Sequence, residues 1–383
     1  MKGTIAKAGG WLGPLIRGLS LRLSLKMLTI ALALLLLVVP LPAGLVERFY
    51  SNGIYPFIQS SLTTATNRAP FAIIDLLLIA LGAGLPIWWG VRLVRAGRGL
   101  RARASGRLLF HTLVMAAGLF LVFELLWGFN YMRKPLASKL EYDEERLTAD
   151  GLKRLARATV AELNKESAIV HPGGWPADYE WRERLYESFE AAVKEIGNRR
   201  GIAPATPKHS MLNSYLAAAG IEGFINPFGH EVILDRELLE FEQPFTLAHE
   251  WAHLAGFADE SEASFVGLIA CLRSDMAAVR YSGWIALYGH LPHRAIDMKS
   301  EMNQEDGAVE ALRLAPEVVS DLRAIGERAS RNIDESVSRV QARVYDRFLK
   351  ANRVQAGIGS YGLLVRLVVG TRFDPAWVPV RRN

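Results

Sequence analysis

Three long apolar runs in the first third of the chain limit its fold more than any other feature. The first, 27–46, reads MLTIALALLLLVVPLPAGLV with no charge, and about 20 such residues cross the ~30 Å hydrocarbon core of a bilayer as a helix. The second, 69–90, carries one acid, Asp75, and the third, 108–129, carries His111 and Glu124. A cleavable signal peptide would explain the first run alone. Two further runs of full length point instead to an uncleaved bundle of three transmembrane helices, so residues 1–130 are expected to form a membrane anchor. Asp75, His111 and Glu124 are costly in lipid and are expected to face one another or the interior of that bundle.

The charges divide in the same way. Up to Asn130 there are 13 Lys+Arg against three acids, and from Tyr131 onward 32 against 36, so the net charge of +6 belongs to the anchor. Bases crowd the N-terminal tail and the second loop, from Arg92 to Arg107. The positive-inside rule makes both cytoplasmic, and three crossings then place everything after the third run outside the cytoplasm. A juxtamembrane basic loop of this kind touches anionic lipid, and the remainder has no basic surplus to recommend nucleic acid as a partner. The single cysteine, Cys271, excludes a disulfide framework within the chain.

Residues 131–383 have the pattern of a mainly helical α+β domain. Apolar residues recur at three- and four-residue spacing over 144–165 and 178–199, as amphipathic helices require, with turn chemistry at 171–176 between them. The β-branched run Val232-Ile233-Leu234 predicts a small antiparallel sheet over 208–235. Helices are expected at 243–255, 259–280 and 316–352.

The chemistry concentrates in Phe245-Thr-Leu-Ala-His249-Glu250-Trp-Ala-His253-Leu-Ala-Gly256, which contains H-E-x-x-H. Four residues turn a helix by about 400°, so His249 and His253 project from one face and can reach a single zinc ion. Glu250 is rotated away from that pair and is placed to be the general base for an activated water. Gly256 is a natural residue to end the helix. Two histidines on a purely structural helix are the plainer alternative, but buried imidazoles one turn apart around an acid ask for an explanation. A third ligand must come from nearby, and Asp259, Glu260 and Glu262 follow at once. Asp259 sits where metzincins have their third ligand, yet it also suits a helix N-cap, with Glu262 closing a capping box. Glu260 and Glu262 are about 200° apart, so at most one faces the metal. Glu260 alone lacks a structural duty and is the favoured ligand. His230-Glu231 has no histidine one turn on and is assigned no metal.

The runs Gly223–Val232, Pro244–Phe265 and Tyr345–Asn352 resemble the bacterial membrane proteins grouped as domain of unknown function 3810, with the likeness covering most of the chain. That family looks like a zincin-type metallopeptidase. The segment Glu260-Ser-Glu-Ala-Ser264 is similar to the E-x-x-A-N/D of gluzincins, in which the first Glu binds zinc; Ser264 stands where that pattern has Asn or Asp. The resemblance implies a zincin-like domain after the three helices, in a bacterial inner or plasma membrane, cutting peptide or protein substrates with zinc held by His249, His253 and Glu260. It implies a strand beside the active-site helix that pairs with substrate, for which Glu231–Asp235 is the candidate. Tyr281, His290, His293 and Tyr361 are candidate oxyanion donors. The rival expectation is a non-catalytic membrane receptor or assembly factor that keeps the fold as a binding module.

Overall fold

The computed structural model describes residues 9–197, 201–292 and 313–382. It divides into two compact units, Met1–Pro42 with Leu77–Leu126 and Ala43–Leu76 with Trp127–Asn383. The longer N-terminal helices are α1 (Gly9–Val38), α2 (Tyr55–Thr66), α3 (Ile73–Ile79), α4 (Leu85–Arg95) and α5 (Arg101–Leu126).

Three helical stretches among the described residues are long and apolar enough to cross a membrane: Leu21–Val38, Ile73–Arg95 and Arg98–Leu126. Their bounds differ from the apolar runs for local reasons. The first stops at Val38 instead of continuing to 46, because Pro40 and Pro42 lack the amide hydrogen a helix needs and clash with the preceding turn. The second starts later, at Ile73, beyond Pro70. Leu28, Leu35 and Ile87 point outward and are exposed, the reverse of a water-soluble bundle. Trp89 Nε1 donates to Thr112 Oγ1 at 3.1 Å, and Lys26 Nζ lies 3.3 Å from His111 Nε2.

The second unit contains α6 (Ala149–Gly173), α7 (Asp178–Glu195), α8 (Asn213–Ala219), β1 (Gly223–Asn226), β2 (Glu231–Leu234), α9 (Gln243–Leu254), α10 (Glu260–Leu272), α11 (Ala277–His290), α12 (Pro316–Asn332), α13 (Glu335–Ala351) and α14 (Leu364–Gly370). α10 is apolar on almost every side and is the centre of the core; α7, α9, α11 and α14 pack around it. Trp181, Phe189, Phe265 and Tyr281 fill the space between them. The mainly helical architecture with one small antiparallel sheet is as expected, with β1 and β2 paired Gly223↔Leu234 through Asn226↔Glu231. The single helix expected over 259–280 is two, broken at Ser274-Asp275, and α6 runs on through the expected turn until Gly174, at φ +74°, ends it.

The loop between the first and second apolar helices, placed with the anchor in the sequence division at 130, packs with the C-terminal residues. Tyr55, Gln59 and Thr63 lie four residues apart on one face of α2 and are all buried there. The Gln59 amide acts like a piece of strand, donating to Ala203 O at 2.9 Å and accepting from Ala203 N at 3.0 Å. Thr63 Oγ1 donates to His230 O at 2.8 Å. Just beyond, the Glu231 carboxylate accepts from the amides of Ile73 and Ile74 and from Lys208 Nζ. Asp75 does not face His111 and Glu124 as expected. It accepts from Ser210 Oγ at 2.5 Å and from the Met211 amide at 2.8 Å, which supplies a buried carboxylate with two hydrogen bonds.

Candidate metal centre

α9 starts with Pro244 in its first turn, where a missing amide hydrogen costs nothing, and ends at Gly256 with φ +85°. Gly256 N donates to His253 O at 3.0 Å and Phe257 N to Ala252 O at 3.0 Å, the paired bonds of a Schellman turn. The glycine is required twice, since a Cβ there would also lie 2.8 Å from Asn130 Oδ1. This turn folds the chain back so that Phe257 O lies 2.7 Å from His253 Nδ1. A carbonyl can only accept, so Nδ1 carries the hydrogen and the lone pair of the neutral ring is left on Nε2. Ser264 Oγ, 3.1 Å from His249 Nδ1, orients the other imidazole; a serine thus makes the contact for which the resembled pattern has Asn or Asp.

Asp259 is the N-cap of α10 and accepts from the amides of Ser261 and Glu262. Glu260, one step on, turns its carboxylate towards α9. His249 Nε2 and His253 Nε2 are 3.1 Å apart, and Glu260 Oε2 lies 3.2 Å from each. The other oxygen, Oε1, accepts from the Tyr345 hydroxyl of α13. Glu262 supplies only half of the expected capping box: it points elsewhere and accepts from the Leu136 amide at 2.6 Å. Backbones carry the two helices this close. A Cβ on Gly267 would lie 2.9 Å from His249 N, and one on Gly223 of β1 would lie 2.9 Å from Glu250 Oε1.

The residues present fit a zinc ion. A tetrahedron with ligands about 2.0–2.1 Å from zinc has edges of about 3.3 Å, and the nitrogen-nitrogen-oxygen triangle here has edges of 3.1, 3.2 and 3.2 Å. Among the described residues this is the group of His, Asp and Glu arranged to hold a metal ion. Glu250 Oε2 is buried and has no hydrogen-bond partner among the described residues, so it is available to a water or ligand atom in the same pocket. Burial pushes Glu250 up to about 8 and His249 down. Burial would also lower His253, but the Glu260 carboxylate outweighs it and raises the imidazole to about 9. Burial would raise Glu260, yet the two imidazoles hold it well below the usual carboxylate range.

Two of the other candidates have their own partners. Tyr281 donates to Asp321, and His290 bonds back to Ala286 O, with the Phe245 ring neighbouring both its imidazole and that of His249. His293 and the Tyr361 side chain lie outside the described residues. β2 cannot be the substrate strand, because both its edges are used: Lys208 N donates to Val232 O and Leu234 N to Lys208 O on the side away from β1. The alternation of an antiparallel ladder then turns the backbone groups of Gly223 and Ile225 away from β2, and among the described residues they have no partner. Tyr345 was not foreseen as a site residue; its one sequence trace is its place in a run that carries the family resemblance.

Residues 50–369 match the family described as Protein of unknown function (DUF3810). The chain belongs to that family. The match starts at Tyr50, ahead of α2, so the DUF3810 region takes in the loop helix as well as His249, His253 and Glu260. No curated protein and no solved structure matches the chain.

Proposed function

We propose that this DUF3810 protein is a membrane-anchored, zinc-dependent metallopeptidase of zincin type, with His249, His253 and Glu260 as the metal ligands and Glu250 as general base. The observation that carries this reading is the near-equilateral triangle of ligand atoms beside a buried carboxylate oxygen that no group among the described residues satisfies. His249, His253 and Glu260 would hold the zinc, which when bound would supply Lewis acidity and lower the pKa of a water towards neutrality. Glu250 Oε2 takes the proton of the attacking water and delivers it to the leaving amine. Phe257 O and Ser264 hold the imidazoles in the orientation that presents Nε2. An extended peptide would add to the outer edge of β1, where Gly223 and Ile225 offer backbone groups beside Glu250, with little demand on its sequence.

The proposed topology puts the N-terminal tail and the second loop in the cytoplasm and the rest outside. Three crossings bring the first loop and everything after the third helix to one side of a membrane, and those two segments are the ones that pack into a single unit. Metal analysis of the purified full-length chain is expected to find about one zinc per molecule. Glu250→Gln should keep the zinc while peptide hydrolysis falls by about 10²–10⁴-fold. A folded chain without zinc, or a Glu250→Gln variant of full activity, would overturn the proposal; the latter would leave a binding module.

A further inference from the structure

α13 has two faces. Leu349 is enclosed on one of them, where Tyr345 also reaches Glu260. The other face shows water two adjoining rows: Arg339, Arg343 and Arg347, and beside them Val340, Val344 and Phe348. Val340 is 53% exposed, Val344 57% and Phe348 40%. Single exposed apolar residues are ordinary, but a line of three at four-residue spacing is a surface patch. An apolar row bordered by arginines is the composition of a helix lying in a bilayer interface.

The arginine row is poorly neutralised. Among the described residues Arg347 has no ion-pair partner, Arg343 bonds only to a carbonyl of its own helix, and Arg339 lies 3.8 Å from the exposed Glu335. The apolar surface continues onto the neighbouring helix α8, joined by the Tyr215 hydroxyl donating to Gln341 at 2.7 Å; Met211, just before it, is 71% exposed. Both parts of the patch adjoin chain that enters or leaves an apolar helix. The Phe348 ring meets Tyr131, a few residues beyond the end of the Arg98–Leu126 stretch, at 6.2 Å. The Met211 amide is held by Asp75, in the first turn of the Ile73–Arg95 stretch.

We propose that this face of α13, extended by Met211, rests on the anionic bilayer that holds the apolar helices, with the arginines at lipid phosphates and Val340, Val344 and Phe348 among the upper acyl carbons. A second copy of the chain is a poor occupant, because docking two such faces sets arginine against arginine. The proposal is independent of the enzymatic reading.

The test uses the full chain, one copy per nanodisc, in phosphatidylglycerol–phosphatidylcholine mixtures carrying a quencher just below the headgroups. The native Cys271 is fully buried, so a fluorophore on Val344→Cys reports that position alone. Val340→Cys is the second variant should the first fail to fold, and Tyr179→Cys, exposed on α7, is the reference. Lipid quenching at position 344 several-fold above the reference is expected. Arg343→Glu with Arg347→Glu, or discs of phosphatidylcholine alone, should reduce it several-fold. A label quenched by aqueous iodide as strongly as the reference, one shielded from both quenchers by protein, or a chain that does not enter discs would overturn the proposal.

Discussion

At the scale of single residues, three acids within four positions acquire three different jobs from their angle around one helix start. Asp259 caps it, Glu260 faces the imidazoles and Glu262 faces the Leu136 amide. Tyr345 then fixes the Glu260 carboxylate by holding the oxygen that the imidazoles do not touch. Removing that hydroxyl leaves the ligand free to rotate. Tyr345→Phe is expected to weaken zinc binding by about 10–100-fold, as loss of an outer-shell partner usually does, with the fold intact. Glu262→Gln should hold zinc as the parent does, since its amide oxygen still accepts from Leu136. Chelator competition on both variants measures the difference.

At the scale of elements, the site depends on how closely α9 and α10 approach. Gly267 permits backbone contact at His249, and no side chain larger than hydrogen fits without moving one helix. Gly267→Ala is expected to destabilise the protein by about 1–3 kcal/mol, the usual cost of overpacking, and to loosen zinc because the shift falls on a ligand's own backbone. Denaturant unfolding with and without zinc would show both effects; an unchanged midpoint would mean that the helices can part freely. The far end of α9 is held by side chains from the anchor-side segments. Trp127 Nε1 donates to His253 O, the Tyr55 hydroxyl to Leu254 O and Arg133 to Gly256 O, which satisfies carbonyls that a helix end leaves open.

At the scale of the whole molecule, these donors make the loop of 43–76 part of the folded body that carries His249, His253 and Glu260. A chain cut to residues 131–383 loses Trp127 and Tyr55 and uncovers the surfaces buried against α2. It is expected to lack fixed tertiary structure and to bind no zinc, as near-ultraviolet circular dichroism and metal analysis would report. A stable, zinc-loaded fragment would show the loop to be dispensable. Glu47 ties the same segments together through Arg133 and Lys139. Burial would raise its carboxyl, but the Arg133 hydrogen bond and charge, with help from Lys139, outweigh this and hold it at about 2. A depressed carboxyl contributes stability above its unfolded value and loses it as pH falls through the folded one. Stability should therefore decline as pH drops from about 4.5 towards 2, and Glu47→Gln should flatten that decline in unfolding measurements across the interval.

What sequence alone determined was whatever depends on neighbours along the chain. Twenty apolar residues make a helix that suits lipid, four-residue spacing brings His249 and His253 together, and Gly256 ends their helix because only glycine takes its backbone angle without strain. What tertiary structure decided was every contact between distant segments. Tyr345 meets Glu260 across 85 residues, Tyr55 meets Leu254 across 199, and Lys208 closes the edge of β2 that the sequence offered to substrate. Such contacts leave no period in the sequence, because they are set by how buried faces of separate helices and strands fit together, and a tyrosine at a ligand looks the same in a linear chain as a tyrosine in the core.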